Sequence, residues 1–531
     1  MKRRAVSRHS ARLLLLTGIL GACHDDGFLG QDPAPAVSEP PPIAEGAVSA
    51  LSPFNSGCSG SPSGTQYRNA EVEPYAAINP LNPANLIAVW QQDRWSSGGA
   101  QGVLAAVSLD GGASWSQKTI PFSRCAGGNA GNGGDYARAT DPWVSFGGDG
   151  TAYFMSLSFS DSDGSSAMRV SRSTDGGRSW GDPVTLVRDT GSRFNDKNTL
   201  TADPVIPGYA YAVWDRLDSS VNRGPTLFSR TTDGGLSWEA ARVIHDPDYG
   251  QTIGNVIVAH PAGALVNLFV EIDYATDIAL LRVMTSVDQG QTWAPPVTIT
   301  ELQSVGVFDP DDGAPVRAGT VVPAIAVSAA GRIAVVWGDG RFSEVHDDIV
   351  LSMSDDVGLT WSAPTPVSGQ LAASFTPTVH FLDDESLGVA YYDFRDNTPA
   401  PGSLTSYWLA SSVDGLTWGE QRLAEPFDLK RAPNANGLFL GDYMALLADG
   451  AAFRAYFVVT NDSTVNRTDV VQRRAEPSPV TLGAKSYRPA PVPTVLTAEA
   501  RGRIRDAIRR AVPHGRHDSP LSTMPDLAVL P

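Results

Sequence analysis

Short apolar runs separated by turn-forming residues recur along most of the chain and predict β-strands. Seven of these runs are prominent, and each follows another apolar run across a Gly, Asn or Pro turn, as in an antiparallel pair. They are Leu86–Trp90, Ala152–Phe159, Tyr209–Trp214, Leu265–Glu271, Ile333–Trp337, Leu387–Tyr392 and Phe453–Val459. A third run follows each pair, and a short fourth run repeats as Pro-Val-Thr-Leu or Pro-Val-Thr-Ile at 183–186, 296–299 and 479–482. The pattern predicts an all-β chain of four-stranded antiparallel units.

A second repeat lies between the third and fourth runs. It reads as a hydroxyl residue, an Asp two positions later, then Gly and Trp, as in Ser108-Leu-Asp110-Gly-Gly112-Ala-Ser-Trp115. An Asp carboxylate can accept backbone N–H bonds in a tight turn, glycine permits positive φ, and Trp gives the turn an apolar anchor. The six copies have their acidic residue at Asp110, Asp175, Asp233, Asp288, Asp356 and Asp414. A spacing near sixty residues indicates one supersecondary unit copied along the chain.

This phrase resembles the Asp-box, the BNR repeat of the sialidase (neuraminidase) superfamily of β-propellers. The resemblance implies a propeller in which the six Asp residues have a structural role. Residues 73–483 divide into seven units of about 59 residues, enough for four strands and their loops. We therefore expect seven four-stranded blades, and a six-bladed ring with an accessory hairpin, closer to the sialidases, remains the alternative.

The first residues read as an export signal. A basic segment precedes the apolar run Leu13–Leu20, and Leu20-Gly-Ala-Cys23 resembles a bacterial lipobox, which implies cleavage before Cys23 and lipidation of that residue. An ordinary secretory signal is the alternative. The predicted domains are a signal peptide (1–22), a disordered Pro-rich tether (23–60), the propeller (61–485), and a Pro-rich linker with a helical tail (486–531). We expect an exported protein, either an outer-membrane lipoprotein or one at the cell surface, that contacts the membrane through its lipid alone.

The remaining features concern covalent links, the tail and partners. If Cys23 is lipidated, Cys58 and Cys125 are left as a pair, and an oxidising compartment favours a disulfide between them. The tail helix is expected from Thr497, as N-cap, to Val512. A net charge of −17 argues against a nucleic-acid partner, and we expect a monomer.

Charged residues repeat at the ends of the second strands. The pairs are Asp93-Arg94, Asp215-Arg216, Asp339 with Arg341, and Asp393 with Arg395; Glu271 takes the corresponding place in the fourth unit. In the propeller that the chain resembles, these ends lie on one rim, here called the top, and the Asp-boxes lie on the opposite, bottom face. Arginines there could bind an acidic ligand bidentately, or each could pair with a neighbouring Asp and hold the blade tops together.

Sialidases bind the substrate carboxylate with three arginines and attack with a Tyr that a Glu activates. The resemblance implies Tyr443 as nucleophile and Glu271 as its activator, with Asp93 as a further catalytic candidate. The implied substrate-binding residues are Arg94, Arg216, Arg341 and Arg395. Three departures oppose this assignment. Glu71-Val-Glu73-Pro74 replaces the family's Phe/Tyr-Arg-Ile-Pro signature, and the loop 95–101 contains no Asp for the acid/base role that the family gives to an Asp on a mobile loop. The expected blade count, seven rather than six, also differs.

The function predicted from sequence is that of a glycan-acting, sialidase-like propeller, an exo-glycosidase for acidic sugars. A non-catalytic propeller that binds or scaffolds at the cell surface is the alternative. No cofactor is expected, because the eight His residues lack zinc-ligand spacing. Two acidic loops, 161–165 and 309–313, could hold calcium, but neither completes a calcium-loop pattern, which favours solvated turns.

Overall fold

The computed structural model describes residues 46–60, 62–343, 345–368, 372–478 and 497–511. The predicted signal peptide, Cys23 and the predicted run at 479–482 lie outside these residues. The described part is almost entirely β, as predicted, with three short 3₁₀ turns and one α-helix, α1 (Ala498–Ala511).

Seven antiparallel units follow one another in the described residues, and we number them as blades 1 to 7. Blade 1 contains β1 (Glu71–Ile78), β2 (Leu86–Arg94), β3 (Ala100–Ser108) and β4 (Ser116–Thr119). Blade 2 contains β5 (Arg138–Phe146), β6 (Ala152–Ser160), β7 (Ser165–Ser173) and β8 (Val184–Asp189). Blade 3 contains β9 (Arg193–Ala202), β10 (Ala210–Asp218), the short β11 (Arg223–Gly224), β12 (Thr226–Thr231) and β13 (Arg242–His245).

The later blades keep this order but carry extra segments between them. Blade 4 contains β14 (Gly250–Ala259), β15 (Leu265–Asp273), β16 (Ile278–Ser286) and β17 (Val297–Glu301), and then come β18 (Val307–Phe308) and β19 (Pro315–Arg317). Blade 5 contains β20 (Ala324–Val327), β21 (Ile333–Asp339), β22 (Asp348–Ser354) and β23 (Thr365–Pro366). Blade 6 contains β24 (Ser374–Phe381), β25 (Leu387–Asp393), β26 (Leu404–Ser412) and β27 (Gly419–Arg422), followed by β28 (Phe427–Asp428) and β29 (Leu438–Phe439). Blade 7 contains β30 (Ala445–Asp449), β31 (Ala452–Thr460) and β32 (Thr468–Ala475).

The blades form a closed ring. The first strand of each blade contacts the first strand of the next, and β30 of blade 7 contacts β1 of blade 1. The second strands form the middle of the blades, and Trp90, Trp214 and Trp337 are fully buried at equivalent positions in them. Because both faces of these strands are covered by neighbouring blades, their apolar runs are nearly continuous, and this explains why they were the clearest strands in the sequence.

The N-terminal segment completes the last blade. Ala47 pairs antiparallel with Val471 of β32, and the Val48 amide donates to the Val470 carbonyl at 2.8 Å. Phe54, further along this segment, is 2% exposed. Residues 46–60 therefore pack on the propeller, whereas the sequence predicts a disordered tether over residues 23–60. The physical reason is that the segment carries apolar side chains and an unpaired strand edge is open to it.

A disulfide holds the same segment, as predicted. Cys58 and Cys125 are bonded, with their Cα atoms 5.0 Å apart. The bridge joins the N-terminal segment to the connection between blades 1 and 2, closing a loop 67 residues in sequence separation. A disulfide that closes a loop of this size stabilises the folded state by about 2–4 kcal/mol.

The Asp-boxes have the turn structure that their sequence predicts. In the first box Ser108 Oγ donates to Asp110 Oδ1 at 2.8 Å, and that oxygen accepts the Ser114 amide at 2.9 Å. Gly112 has a φ of +89°, and its carbonyl accepts from Gln472 Nε2 of blade 7 at 2.6 Å. The second glycine of the next box, Gly177, likewise packs against Ile87 of blade 1. The boxes therefore join each blade to the preceding one, and the first box joins blade 1 to blade 7.

The top face carries additional structure. Strands β18, β19 and β29 form a three-stranded sheet from the two long inter-blade connections. Helix α1 buries Ala500, Ile504, Ala507 and Ile508, and its predicted N-cap, Thr497, accepts the Ala500 amide through Oγ1 at 3.1 Å. Among the described residues, no helix has the length and apolar character needed to cross a membrane.

Candidate functional site

Several first strands are bulged where they begin on the top rim. Register shifts interrupt their pairing with the second strands in blades 1, 2, 3, 4 and 6. The bulged residues with positive φ are Glu73 (53°), Asp141 (51°), Lys197 (46°), Gly254 (68°) and Thr376 (49°). A non-glycine residue with positive φ is uncommon, and bulges re-aim side chains next to functional sites.

Three of the bulged side chains converge on one another. Lys197 Nζ lies 2.5 Å from Asp442 Oδ2, 3.4 Å from Glu73 Oε1 and 3.7 Å from Asp141 Oδ1. All four side chains are buried, and Lys197 is only 6% exposed. With Arg317 of β19, which binds the same Asp442, they form what we call the ion cluster: Glu73, Asp141, Lys197, Arg317 and Asp442. It joins blades 1, 2, 3 and 7 with the top-face sheet.

Two arginines have related positions at the ion cluster, Arg317 as a member of it and Arg94 beside it. Arg317 donates to both carboxylate oxygens of Asp442, through Nε at 3.0 Å and also through Nη2. Arg94 Nη1 donates to Gln91 Oε1 at 2.6 Å, and Gln91 Nε2 in turn donates to Glu73 Oε2. The guanidiniums of both arginines lie over the Phe439 ring, 4.7 Å (Arg94) and 4.5 Å (Arg317) from its centroid. Arg94 is buried, whereas the Arg317 side chain is 27% exposed.

The two carboxyl groups nearest to Lys197 have opposite electrostatic properties. Burial raises the pKa of Glu73 to about 7, and the Lys197 charge only partly opposes that rise. Burial also acts to raise the pKa of Asp442, but the charges of Arg317 and Lys197 beside it hold that pKa well below its usual range. At neutral pH Asp442 is therefore ionised, whereas Glu73 lies near its midpoint of titration.

Tyr443 lies beside the ion cluster as a protonated phenol. Its hydroxyl donates to the Pro142 carbonyl at 3.1 Å, and its ring packs edge-on against Trp143 and Tyr75. Burial raises the pKa of Tyr443 well above its usual value, and the negative charge of Glu73 is the next contribution in the same direction. In this arrangement the phenol is not activated as a nucleophile.

The other two catalytic candidates from the sequence have different neighbours. Glu271 of blade 4 lies 2.6 Å from His245 Nε2 and accepts from Arg282 Nη1 at 2.8 and 2.9 Å. The carboxyl groups whose charges act on Tyr443 are instead those of Glu73, Asp141 and Asp442. Asp93 accepts from Ser52 Oγ at 2.6 Å and from the Asn69 amide at 2.8 Å. Asp93 therefore holds the N-terminal segment against blade 1.

The arginines predicted to bind substrate are engaged by nearby protein groups. Arg341 makes two 2.8 Å bonds to Asp339, and Arg395 binds Asp393 and Glu420. Arg216 Nη1 lies 3.9 Å from Asp189 Oδ2. These contacts are of the kind expected if the arginines hold the blade tops together. Their assignment to ligand binding stays a prediction.

Sequence reasoning missed most of the ion cluster. Glu73 was noted only as a departure from the family signature, and Asp141, Lys197, Arg317 and Asp442 were not singled out. A signal was present in the repeat itself, because Glu73-Pro74, Asp141-Pro142 and Thr376-Pro377 occupy equivalent bulges. Aligning the first strands of the units would have placed two acidic residues on the same rim.

Two cavities meet at Lys197. The channel along the ring axis has a volume of about 410 Å³ and is lined by the first strands of all seven blades, including Tyr75, Trp143 and Tyr443. A smaller pocket of about 160 Å³ lies among Lys197, Arg317 and Asp442, the connections on the top face, and helix α1. The exposed part of Arg317 makes this pocket the accessible side of the ion cluster.

In one of the two acidic loops, residues 309–313, the carboxylates surround a lysine. Lys430 Nζ lies 3.1 Å from Asp312, 3.5 Å from Asp309 and 3.6 Å from Asp311. In the other loop, Asp161 pairs with Arg138 at 2.7 Å. No set of three or more His, Cys, Asp or Glu side chains in the described part of the chain is arranged to hold a metal.

Comparison with known proteins agrees with the repeat analysis. Residues 226–476 match the family model described as a BNR repeat-like domain. No curated protein matches the chain. Among solved structures, a Hadza microbial sialidase is similar at 15% identity and a TM-score of 0.42, over 64% of this chain and 66% of that protein, which is just under two thirds of its length.

Two further solved structures cover most of their own length. A protein of unknown function from Dyadobacter fermentans aligns at 13% identity and a TM-score of 0.43, over 78% of this chain and 97% of that one. An α-L-arabinofuranosidase of Fusarium graminearum aligns at 14% identity and a TM-score of 0.41, over 62% of this chain and 89% of that one. The family match, which covers a little under half of the chain, shows a BNR repeat-like domain, and the six Asp-boxes extend the resemblance to the BNR-repeat β-propellers of the sialidase superfamily along residues 108–418.

Proposed function

We propose that this protein is an exported glycoside hydrolase that removes acidic sugar residues from glycans, with the ion cluster as its active site. The observation that carries the proposal is the split between two neighbouring carboxyl groups beside Tyr443. Glu73 has a pKa of about 7, whereas Asp442 is held ionised. Environments that push two carboxyl pKa values apart are how glycosidases obtain one acid and one anionic partner from the same residue types.

The roles follow from charge and position. Glu73, half protonated near pH 7, is the candidate general acid that donates a proton to the leaving oxygen as the glycosidic bond breaks; a water molecule then adds to the anomeric carbon and gives a proton back to the Glu73 carboxylate. Asp442 and Asp141 supply negative charge that favours an oxocarbenium-like transition state. Arg317, the most exposed charged member of the cluster, is the candidate to bind the acidic group of the substrate.

We assign the acid–base role to Glu73 rather than to Glu271. Glu271 is bonded to Arg282 and His245, and these neighbours hold its pKa below its usual value in spite of partial burial. A carboxyl that stays ionised at pH 7 has no proton to donate. Glu73 meets that requirement and is also adjacent to Tyr443.

The proposal of export rests on the N-terminal sequence and is supported by the disulfide. A Cys58–Cys125 bridge persists in oxidising compartments. We propose cleavage before Cys23 and acylation of that residue, giving a protein tethered to a membrane by lipid. A Cys23→Ser variant should lose its membrane association in cell fractionation, and retention of the variant on membranes would contradict the lipid anchor.

A second candidate function is binding of acidic glycans without hydrolysis. It is favoured by the hydrogen bond from the Tyr443 hydroxyl to the Pro142 carbonyl, which leaves that phenol protonated. In this alternative the ion cluster is a rigid support for an anion-binding pocket. The two functions differ in whether a glycosidic bond is broken.

The experiment is a hydrolysis assay on the purified protein with fluorogenic α-sialoside and β-glucuronide substrates. We expect release of fluorophore from at least one of them, and a loss of about 100-fold or more for Glu73→Gln, since a general acid contributes 10²–10⁴-fold. Glu271→Gln should retain most of the rate. If Glu271→Gln abolishes turnover while Glu73→Gln does not, the assignment is reversed. If no substrate in the panel is cleaved but acidic sugars bind, the binding function replaces hydrolysis.

A further inference from the structure

Helix α1 forms one wall of the small top pocket. Ala507, Arg510 and Ala511 line the pocket together with Lys197 and Arg317 of the ion cluster. The helix comes from the C-terminal tail, outside the repeated blades, so the pocket is composed of two separate parts of the chain.

The docking of this helix is specific in its geometry. Ile504 and Ile508 are buried in the apolar cluster that contains Val305 and Val321. Gly306 has a φ of +84°, and a Cβ atom there would lie only 3.2 Å from Arg510 Nη2 and 3.5 Å from the Ala507 Cβ atom. A glycine at this position therefore permits the close approach that brings Arg510 to the pocket.

Arg510 differs from the arginine beside it. Arg509 pairs with Asp277 at 2.8 Å. Arg510 instead lies over the Phe308 ring, 5.0 Å from its centroid, and no carboxylate of the described residues lies within ion-pair distance of it. The ring contacts the guanidinium through its face, and the described part of the chain provides no acceptor for its N–H groups.

The charges around the pocket do not balance. Three cations line it, Lys197, Arg317 and Arg510, and Asp442 is the one carboxylate in the lining. Both Lys197 and Arg317 are bonded to Asp442, whereas no residue of the described ranges accepts a hydrogen bond from Arg510. Behind the lining, Glu73 and Asp141 also lie within 4 Å of Lys197, so the charge that no carboxylate of the described residues balances is that of Arg510, and this charge fits an anionic ligand.

We propose that Arg510 is a specificity-determining residue that binds the anionic group of a single acidic sugar unit in this pocket, so that the C-terminal helix is part of the binding site. The inference rests on the proposed function for its ligand, a sugar that carries a carboxylate or a sulfate. A volume of about 160 Å³ suits one small unit rather than a long oligosaccharide. Because Arg510 lies outside the ion cluster, it acts on ligand affinity and not on the acid–base step.

The test is calorimetric titration of the full-length protein with glucuronic acid, N-acetylneuraminic acid, glucose and inorganic sulfate. The variants are Arg510→Ala, Arg510→Lys and the control Arg505→Ala, which removes an exposed arginine from the same helix outside the pocket. We expect Arg510→Ala to weaken binding of the acidic ligand about tenfold to hundredfold, the loss of one charge-assisted bond. Arg510→Lys should retain part of the affinity, Arg505→Ala should match the wild type, and glucose should not bind.

The outcomes separate this inference from the proposed function. If sulfate binding depends on Arg510 but no acidic sugar binds or is cleaved, the anion pocket stands and the glycan function falls. If an acidic sugar binds equally well to the wild type and to Arg510→Ala, the role of Arg510 is wrong even though the function stands. Absence of binding of every anion to the wild type would overturn the pocket itself.

Discussion

The bottom and top faces of this propeller are built on different principles. On the bottom face the Asp-boxes repeat the same short-range hydrogen bonds, and Asp110 and Asp175 accept from equivalent groups at nearly equal distances. On the top face the bulged first strands carry different residues at their bulges, and the charged groups of Glu73, Asp141 and Lys197 meet there. The residues that repeat from blade to blade therefore form the ring, and the residues that differ between the blades form the ion cluster.

The carboxyl groups of the two faces also differ in burial and in pKa. Asp110 is exposed, and hydrogen bonds from Ser114 lower its pKa to about 2. Glu73 is buried, and burial raises its pKa to about 7. A carboxyl group therefore stabilises a turn on the bottom face, whereas a carboxyl group on the top face titrates near neutral pH.

Removal of the central cation should have the largest effect on stability. Lys197→Met leaves Glu73, Asp141 and Asp442 buried without their shared partner, and breaking such a buried ionic network costs about 3–5 kcal/mol. Chemical denaturation monitored by tryptophan fluorescence would measure this loss.

A matched control for that variant is Lys430→Met. Lys430 also lies among three carboxylates, but its side chain is 33% exposed and water can replace it. We expect little change in its unfolding midpoint. Equal losses for the two lysines would show that burial of the ion cluster does not matter.

Loss of the disulfide should come next. Cys58→Ser combined with Cys125→Ser should reduce the free energy of unfolding by about 2–4 kcal/mol, because the unfolded chain regains the freedom of a long loop. The hydrolysis rate should not change, since the bridge holds the N-terminal segment and not the ion cluster. A double variant as stable as the wild type would mean that the strand pairing of this segment is sufficient by itself.

Overpacking of an Asp-box tests the bottom face. Gly177→Ala should cost about 1–3 kcal/mol, because its Cβ atom would lie 2.7 Å from Ile87 Cδ1 at a φ of +86°. Gly111→Ala has a similar positive φ but nothing within 4 Å, so it should lose only the backbone part, about 1 kcal/mol. Thermal unfolding of the two variants would distinguish the cost of the steric clash between blades from the cost of strain within the turn. Equal losses of stability would contradict the role of the Asp-box in joining neighbouring blades.

The pH dependence of stability tests the electrostatics of the top face separately. The pKa of Glu73 is about 7 in the folded state and near 4.5 when unfolded, so the folded protein binds more protons between these values. The contribution of Glu73 is fully present below pH 4.5 and is lost as pH rises through 7. The slope of stability against pH in this window should be less negative for Glu73→Gln than for the wild type, as measured by denaturation at pH 5 and pH 8. An unchanged slope would place the pKa of Glu73 in the folded state near its ordinary value.

Sequence reasoning reached the bottom face more completely than the top. The second strands and the Asp-boxes could be predicted because buried apolar runs and tight turns have local signatures, as Leu86–Trp90 and Ser108–Trp115 illustrate. The pairing of Cys58 with Cys125 followed from counting cysteines. By contrast, Lys197 and Asp442 are 245 residues apart and look like ordinary strand and loop residues. Their meeting depends on ring closure and on bulges, which no local pattern encodes.

The arginines predicted on the top face also show how little a local sequence pattern says about a site. Arg341 and Arg395 were predicted from a repeated Asp–Arg pattern, and the pattern itself supplies their partners, Asp339 and Asp393. Arg317 and Arg510 lie outside that pattern, in the inter-blade connection and the tail, and they are the arginines that line the pocket.

The central claim is that Glu73 donates the proton in hydrolysis of an acidic glycoside. The measurement that tests it most directly is the pH dependence of kcat/KM for the best fluorogenic substrate, compared between the wild type and Glu73→Gln. The account predicts that the wild-type kcat/KM falls above about pH 7, as Glu73 loses its proton, and that the much weaker residual activity of Glu73→Gln lacks this ionisation. A Glu73→Gln variant with the rate and the pH profile of the wild type would contradict it.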